Sequence, residues 1–259
     1  MNEFIAYGVT LPEAYHESLL ILQEESPIIP CPDWNTNQKE VSMTLTIEHP
    51  LRDNMISRLA FCDPVSLEQY CQEMLDGILD FEIAQGKWDY TYHDRMTRYL
   101  CWNDDIPANQ ITFVIDELKR NPYSRRAVID VRNNAQDMYS GDPACLQHIQ
   151  FFIRNNRLHM KVLFRSNDAC KAAFMNAFAL IMLQKRMADA LGVEIGTYTH
   201  RANSYHCYER DFGMLDGYCK RIYNEDPDDL SYSYWNDWKF LMDDAKFEIA
   251  NKVENLKNL

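Results

Sequence analysis

Helical and extended hydrophobic spacing alternate along the chain, and their order outlines a layered fold. Thr10-Leu11-Pro12-Glu13 has the form of a capping box with proline in the first turn. It predicts a helix over Leu11–Glu25 whose buried stripe is Ala14, Tyr15, Ser18, Leu19 and Leu22. The run from Ile28 to Asn37, broken by prolines, reads as a loop. Val41, Met43, Leu45 and Ile47 then alternate with Ser42, Thr44, Thr46 and Glu48, the period of a strand with one wet face. Helical spacing returns from Ser66 to about Leu79, through Leu67, Tyr70, Cys71, Met74, Leu75 and Ile78. Asn109 caps a further helix carrying Ile111, Val114, Ile115 and Leu118, which Asn121-Pro122 stops. Ser124-Arg125-Arg126 leads from there into a strand, Ala127 to Val131.

The stretch from Pro143 to Asn176 organises the rest. It reads as a strand from Cys145 to Arg154, a tight turn at Asn155-Asn156, where both residues tolerate positive φ, and a strand from Leu158 to Arg165. A helix follows from Ala169 to Leu191, apolar almost all round and therefore running through the core, with Gly192 as its stop. Val193 to Tyr208 is strand-like, and helices at about Asp211–Tyr223 and Trp235–Leu256 close the chain around the acidic loop Glu225–Asp229. No internal repeat is visible.

The 259 residues are 46% hydrophobic and 25% charged, without a linker or low-complexity tract, which is the composition of one compact domain over 1–259. There is no basic start followed by an apolar run, and no apolar segment of about 20 residues, so a cytoplasmic protein free of the membrane is expected. The eight cysteines lack CxxC spacing, which argues against a zinc cage, any other metal site and a secreted disulfide framework. A net charge of −13 disfavours nucleic acid as a partner but leaves room for one small anion held by a few local arginines.

Cys145 opens its strand directly after the turn Gly141-Asp142-Pro143-Ala144, where a side chain can face a cleft. Arg125, Arg126 and Arg165 are candidates for a positive field that lowers its pKa, although from position alone a half-buried inert thiol is the favoured reading. The same arginines with Ser166 suit a phosphate monoester, or simply pair with surface carboxylates. Asn176, in so apolar a helix, must find partners or cost about 1–3 kcal/mol, so it either bonds a neighbouring element or reads a ligand. Glu73 beside a buried stripe is either a carboxyl of raised pKa fit for proton transfer or an exposed carboxylate. His206 and Tyr208, two apart in a strand, point the same way.

With these residues laid out, the chain resembles the thymidylate synthase family, and its short archaeal-type branch more than the common bacterial enzyme. The likeness runs from about Val41 to Asp211 and is carried by QKEVSMTLTI, KWDYTYHDRM, NPYSRRAVIDV, PACLQHIQFF, RLHMKVLFRSNDA, MNAFALIMLQKRMADALGVEIGTYT and SYHCYERD in that order. The resemblance implies an α+β fold, a twisted mixed sheet layered with helices, and a homodimer formed through the sheet. It implies that Cys145 is the thiolate that adds to C6 of a pyrimidine and that Glu73 is the general base. Tyr92 would line the cavity, and Asp168 would meet the co-substrate, methylenetetrahydrofolate or a related reduced pterin. Arg165 and Ser166 would hold the 5′-phosphate of a pyrimidine nucleoside monophosphate, with Arg125 and Arg126 reaching over from the second subunit. Asn176 would read the base, and His206 and Tyr208 the 3′-hydroxyl. Four departures stand out: 35-NTNQKE-40, where the family has a flexible loop with a phosphate arginine, offers only Lys39; Leu146 and Phe164 replace a histidine and a glutamine; the stretch from Glu73 to Tyr92 is short; and Lys257-Asn258-Leu259 is unlike the apolar closing tail. The expected reaction is methylation of dUMP to dTMP. A closed, dry site favours hydride over water, so divergence in loop and tail makes C5-hydroxymethylation of a uridine or cytidine nucleotide the rival, and a catalytically inactive nucleotide-binding relative the third reading.

Overall fold

A computed structural model describes residues 2–101 and 107–258; Leu259 of the divergent tail lies outside them. The strands are β1 (Glu3–Gly8), β2 (Ile28–Cys31), β3 (Thr36–Ile47), β4 (Ile56–Ser57), β5 (Val128–Asp130), β6 (Leu146–Arg154), β7 (Arg157–Asp168), β8 (Glu194–Tyr208) and β9 (Ser231–Tyr232). The helices are α1 (Leu11–Glu25), α2 (Pro64–Asp76), α3 (Phe81–Ala84), α4 (Tyr92–Thr97), α5 (Gln110–Arg120), α6 (Asn134–Asp137), α7 (Ala173–Leu191), α8 (Phe212–Asn224) and α9 (Lys239–Lys257). Seven strands form one sheet in the order β1-β3-β8-β7-β6-β5, with β2 also on β3. The β1/β3 and β7/β8 pairs are parallel and the others antiparallel, so the sheet is mixed and the fold α+β.

Local chemistry explains the best-defined ends. Thr10 accepts from the Glu13 amide to start α1, and Asp63 and Ser66 form a reciprocal capping box on α2. The β6–β7 hairpin turns on Asn155 and Asn156 at φ 51° and 58°, the two-residue turn whose twist suits antiparallel strands. The α7 helix buries twelve of its nineteen residues between the sheet and α2, and Gly192, at φ 67°, ends it.

Two sequence expectations are corrected here. The run from Ile28 to Asn37 is not a loop: Ile28–Cys31 pairs with Thr36–Lys39 as a hairpin around Asn35 in the left-handed region, and Pro30 is accommodated because β2 is an edge strand. NTNQKE is thus largely strand rather than flexible loop. The strand β1 went unrecognised because its buried side carries the small Ala6 and Gly8 while Ile5 and Tyr7 face outward, which erases the alternation signal.

The feature that creates a site is a break in register. Up to Ala202, alternate residues of β8 (Tyr198, His200, Ala202) are buried in the core. The pairing with β3 then slips between Val41 and Met43, and after the slip it is Tyr205 and Cys207 that enter the core, Tyr205 bonding Ser18 of α1 and Cys207 lying 3.5 Å from the Cys170 sulfur. Its neighbour β7 keeps register with β8 through this region, while β6 slips against β7 between Leu146 and His148. A bulge of this kind reverses which residues face which side of the sheet.

Candidate active site

Beyond the slip, the strand ends, α2, α7 and the segment before α4 enclose a cavity of about 600 Å3. Of the eleven residues singled out in the sequence, eight line it: Glu73, Tyr92, Cys145, Ser166, Asp168, Asn176, His206 and Tyr208. The helix register of α2 turns Tyr70, Glu73 and Met74 toward it, and α7 contributes Asn176 from an otherwise apolar surface.

Cys145 is half-buried immediately before β6, its carbonyl accepting from the Arg165 amide at 2.8 Å. Arg165 does not project into the cavity. Its Nε donates to the Ala144 carbonyl at 3.1 Å and its terminal nitrogen to the Pro143 carbonyl at 2.5 Å, so the guanidinium holds the turn that presents the thiol. Burial pushes the Cys145 thiol up, Arg165 pulls it back and Asp142 pushes it up again. The net direction is upward, which corrects the expectation that local arginines depress this pKa: one of the three is near, and the loss of hydration outweighs it. Arg125 and Arg126 stand exposed before β5, away from their own chain's cavity. The Arg126 side chain bonds Glu117, whose carboxyl is held down to about 2, first by Ser124 and Arg120.

Glu73 accepts from the Gln69 amide at 2.7 Å, and burial raises its pKa. The Tyr92 hydroxyl accepts from the Leu146 amide at 3.3 Å, beside the thiol's backbone, and burial keeps the phenol protonated. One carboxylate oxygen of Asp168 accepts from the Cys170 and Lys171 amides, which delays the start of α7 to Ala173 instead of the expected Ala169. Ser166 Oγ lies 3.4 Å from His206 Nδ1, and His206 packs edge-on against Tyr208 with centroids 4.7 Å apart. Burial lowers the His206 pKa against the pull of Asp168, which leaves the imidazole neutral near pH 7. Lys39 does not replace the missing loop arginine: it pairs with Cys207 in register, on the far face, and its Nζ is taken by the Gln23 carbonyl and side chain.

Sequence reasoning passed over Tyr70, Lys87, Trp88, Tyr90 and Asn167, all of which line the cavity. KWDY was legible as part of a motif, and its density of aromatic and charged residues just before a short helix was the available signal. Asn167 carried none, since it lies past the strand as read, which ended at Arg165, and a polar residue beyond a strand end is expected at the surface. Among the described residues no cluster of three or more His, Cys, Asp or Glu side chains could hold a metal ion.

The arrangement offers a nucleophile, a carboxyl of raised pKa, an amide and neutral hydroxyl and imidazole groups around one volume. Residues 66–251 match the family model described as thymidylate synthase. A Methanocaldococcus jannaschii protein named "Putative thymidylate synthase" is 38% identical over 59% of this chain and 68% of its own length. A thymidylate synthase of Bacillus subtilis subsp. natto is 30% identical over 47% of this chain and 43% of its length. The fold is similar to that of the thermostable thymidylate synthase A from Bacillus subtilis, with a TM-score of 0.65 at 15% identity, covering 82% of this chain and 84% of that one. A match over well over half of its length establishes that the chain belongs to the thymidylate synthase family.

Proposed function

We propose that this chain converts dUMP to dTMP, using Cys145 as the nucleophile that adds to C6 of the base and a reduced folate, methylenetetrahydrofolate, as co-substrate. The observation that carries the reading is the convergence of Cys145, Glu73, Asn176, Ser166 and His206, drawn from five elements, on one cavity. A neutral ring carbon is a poor electrophile, so the attacking group must be a soft thiolate and the charge gathering on O4 must meet donors. Asn176 supplies a donor for O4 and an acceptor for N3–H. Glu73, whose pKa burial raises, moves protons at O4 and C5. Ser166 and Arg165 meet the phosphate, Arg165 exchanging part of its hold on the Pro143-Ala144 turn, and His206 and Tyr208 take the sugar hydroxyl. The folate supplies the one-carbon unit and the hydride that completes the methyl group. Asp168 and the aromatic Trp88 and Tyr90, in the cavity lining, offer the carboxylate and ring faces that a reduced pterin needs.

The chain acts as a single domain and as a homodimer across the open sheet face, where His159, Thr199 and Arg201 are partly exposed and Lys161 is exposed. The partner subunit's Arg125 and Arg126 complete the phosphate site; their position outside their own cavity supports this. The test is to incubate the protein with dUMP, dCMP, UMP and CMP in turn with methylenetetrahydrofolate and weigh the products. A methyl product from dUMP alone is expected. A hydroxymethyl product overturns the reading in favour of a pyrimidine nucleotide C5-hydroxymethyltransferase, and tight nucleotide binding without tritium release from C5 overturns it in favour of an inactive relative.

A further inference from the structure

Asn176 is not alone in the cavity wall. The Tyr70 hydroxyl donates to Asn176 Oδ1, and Asn176 Nδ2 donates to Asn167 Oδ1 at 3.3 Å. Asn167 is 3% exposed, and among the described residues its Nδ2 meets no acceptor. Neither Tyr70 nor Asn167 has a part in the scheme above.

An amide that reads the N3/C4 edge of a pyrimidine has two orientations. With the carbonyl toward N3 and the NH2 toward C4 it fits uracil; turned over, it accepts from the 4-amino group and donates to N3 of cytosine. Selectivity at this edge therefore depends on how firmly the amide is held. Burial keeps Tyr70 a protonated phenol, a donor that suits the carbonyl end. Turning Asn176 over would present NH2 to the Tyr70 oxygen, which can accept it but then leaves its own O–H without the carbonyl it donates to, and would break the bond to Asn167 unless Asn167 turned as well. Asn167, with one end unpartnered, has no second bond to keep it in place, so Tyr70 is the anchor of the row. Both asparagines are buried, where lost hydrogen bonds are costly.

We infer that Tyr70 and Asn167 are positioning residues that hold Asn176 in one amide orientation and so restrict the site to the uracil pattern. The inference rests on the proposed nucleotide reading. The test measures kcat/KM and dissociation constants for dUMP and dCMP in the wild type, Tyr70→Phe and Asn167→Ala. The wild type is expected to favour dUMP strongly. Tyr70→Phe should cut the dUMP/dCMP ratio about tenfold or more, the worth of one buried hydrogen bond, by weakening dUMP while leaving dCMP unchanged or improved. Asn167→Ala should move the ratio the same way by less. A merely structural role would weaken both nucleotides together. An unchanged ratio in the folded variants, or a wild type that uses both nucleotides equally, overturns the inference and leaves the nucleotide reading intact. A wild type that binds neither nucleotide removes that reading, and the inference with it.

Discussion

Two histidines of one strand, six residues apart, have opposite fates. His200 lies before the bulge in β8, 1% exposed, stacked on Phe164 at 4.6 Å with its Nδ1 bonded to the Tyr198 hydroxyl. His206 lies after it, in the cavity wall beside Ser166 and Tyr208. Both are buried and both have even numbers, so strict alternation would put them on the same face. The bulge separates them: one half of β8 belongs to the core and the other to the site. The same side-chain chemistry becomes core packing or cavity lining according to a one-residue slip in pairing.

The contrast can be broken most decisively at the site end. Cys145→Ala should lower turnover on the order of 10^4-fold or more while nucleotide affinity stays within a few-fold, read by single-turnover product mass and calorimetry. Wild-type-like turnover in that variant would remove the nucleophile assignment. On the core side, acid should unfold the chain through its buried histidines. Burial lowers the pKa of His200 to about 3 and of His16 to about 4, well under the unfolded value of about 6.5. The unfolded chain therefore takes up protons first as pH falls. Stability is complete above pH 6.5 and is lost toward pH 4, by roughly 3 kcal/mol for each histidine. Denaturant midpoints between pH 7 and 4 should show this, with a shallower slope in His200→Ala.

The paired substitutions test the comparison itself. His200→Ala should cost about 2–4 kcal/mol of stability and leave KM for dUMP unchanged, because it opens a hole in the core. His206→Ala should raise that KM about tenfold with little change in melting temperature, because it removes one contact of the proposed nucleotide site. If both variants behave alike, the bulge does not divide the strand as described. The smallest effect belongs to Asp142, which raises the Cys145 pKa from an exposed position. Asp142→Asn should speed alkylation of Cys145 by iodoacetamide at pH 7.5 about two- to threefold. In wild type and variant alike the rate should climb with pH as thiolate forms.

What could be read from residues in order was whatever local chemistry dictates. The N-cap at Thr10, the paired asparagines of the hairpin and the glycine after α7 each act within a few residues of themselves, and each is found where expected, although Glu13 closes back on the Val9 amide rather than on that of Thr10. The edge hairpin at Ile28–Lys39 was lost because prolines argue locally against a strand, while only the neighbouring β3 shows that their missing N–H groups are not needed. Arg165 was read as a candidate phosphate ligand from its place beside Ser166; what no local pattern showed is that its guanidinium also grips Pro143 and Ala144, more than 20 residues earlier.

By itself, then, the sequence determined the succession of elements, the apolar passage of α7 through the core and, through ordered motifs, the family. The tertiary structure alone decided which side chains share a cavity: that Lys39 faces away, that His206 and Tyr208 leave the core face, that Tyr70 and Asn167 flank Asn176. The reason is that periodicity and capping are properties of neighbours in the chain, whereas facing is set by pairing register between strands far apart in sequence.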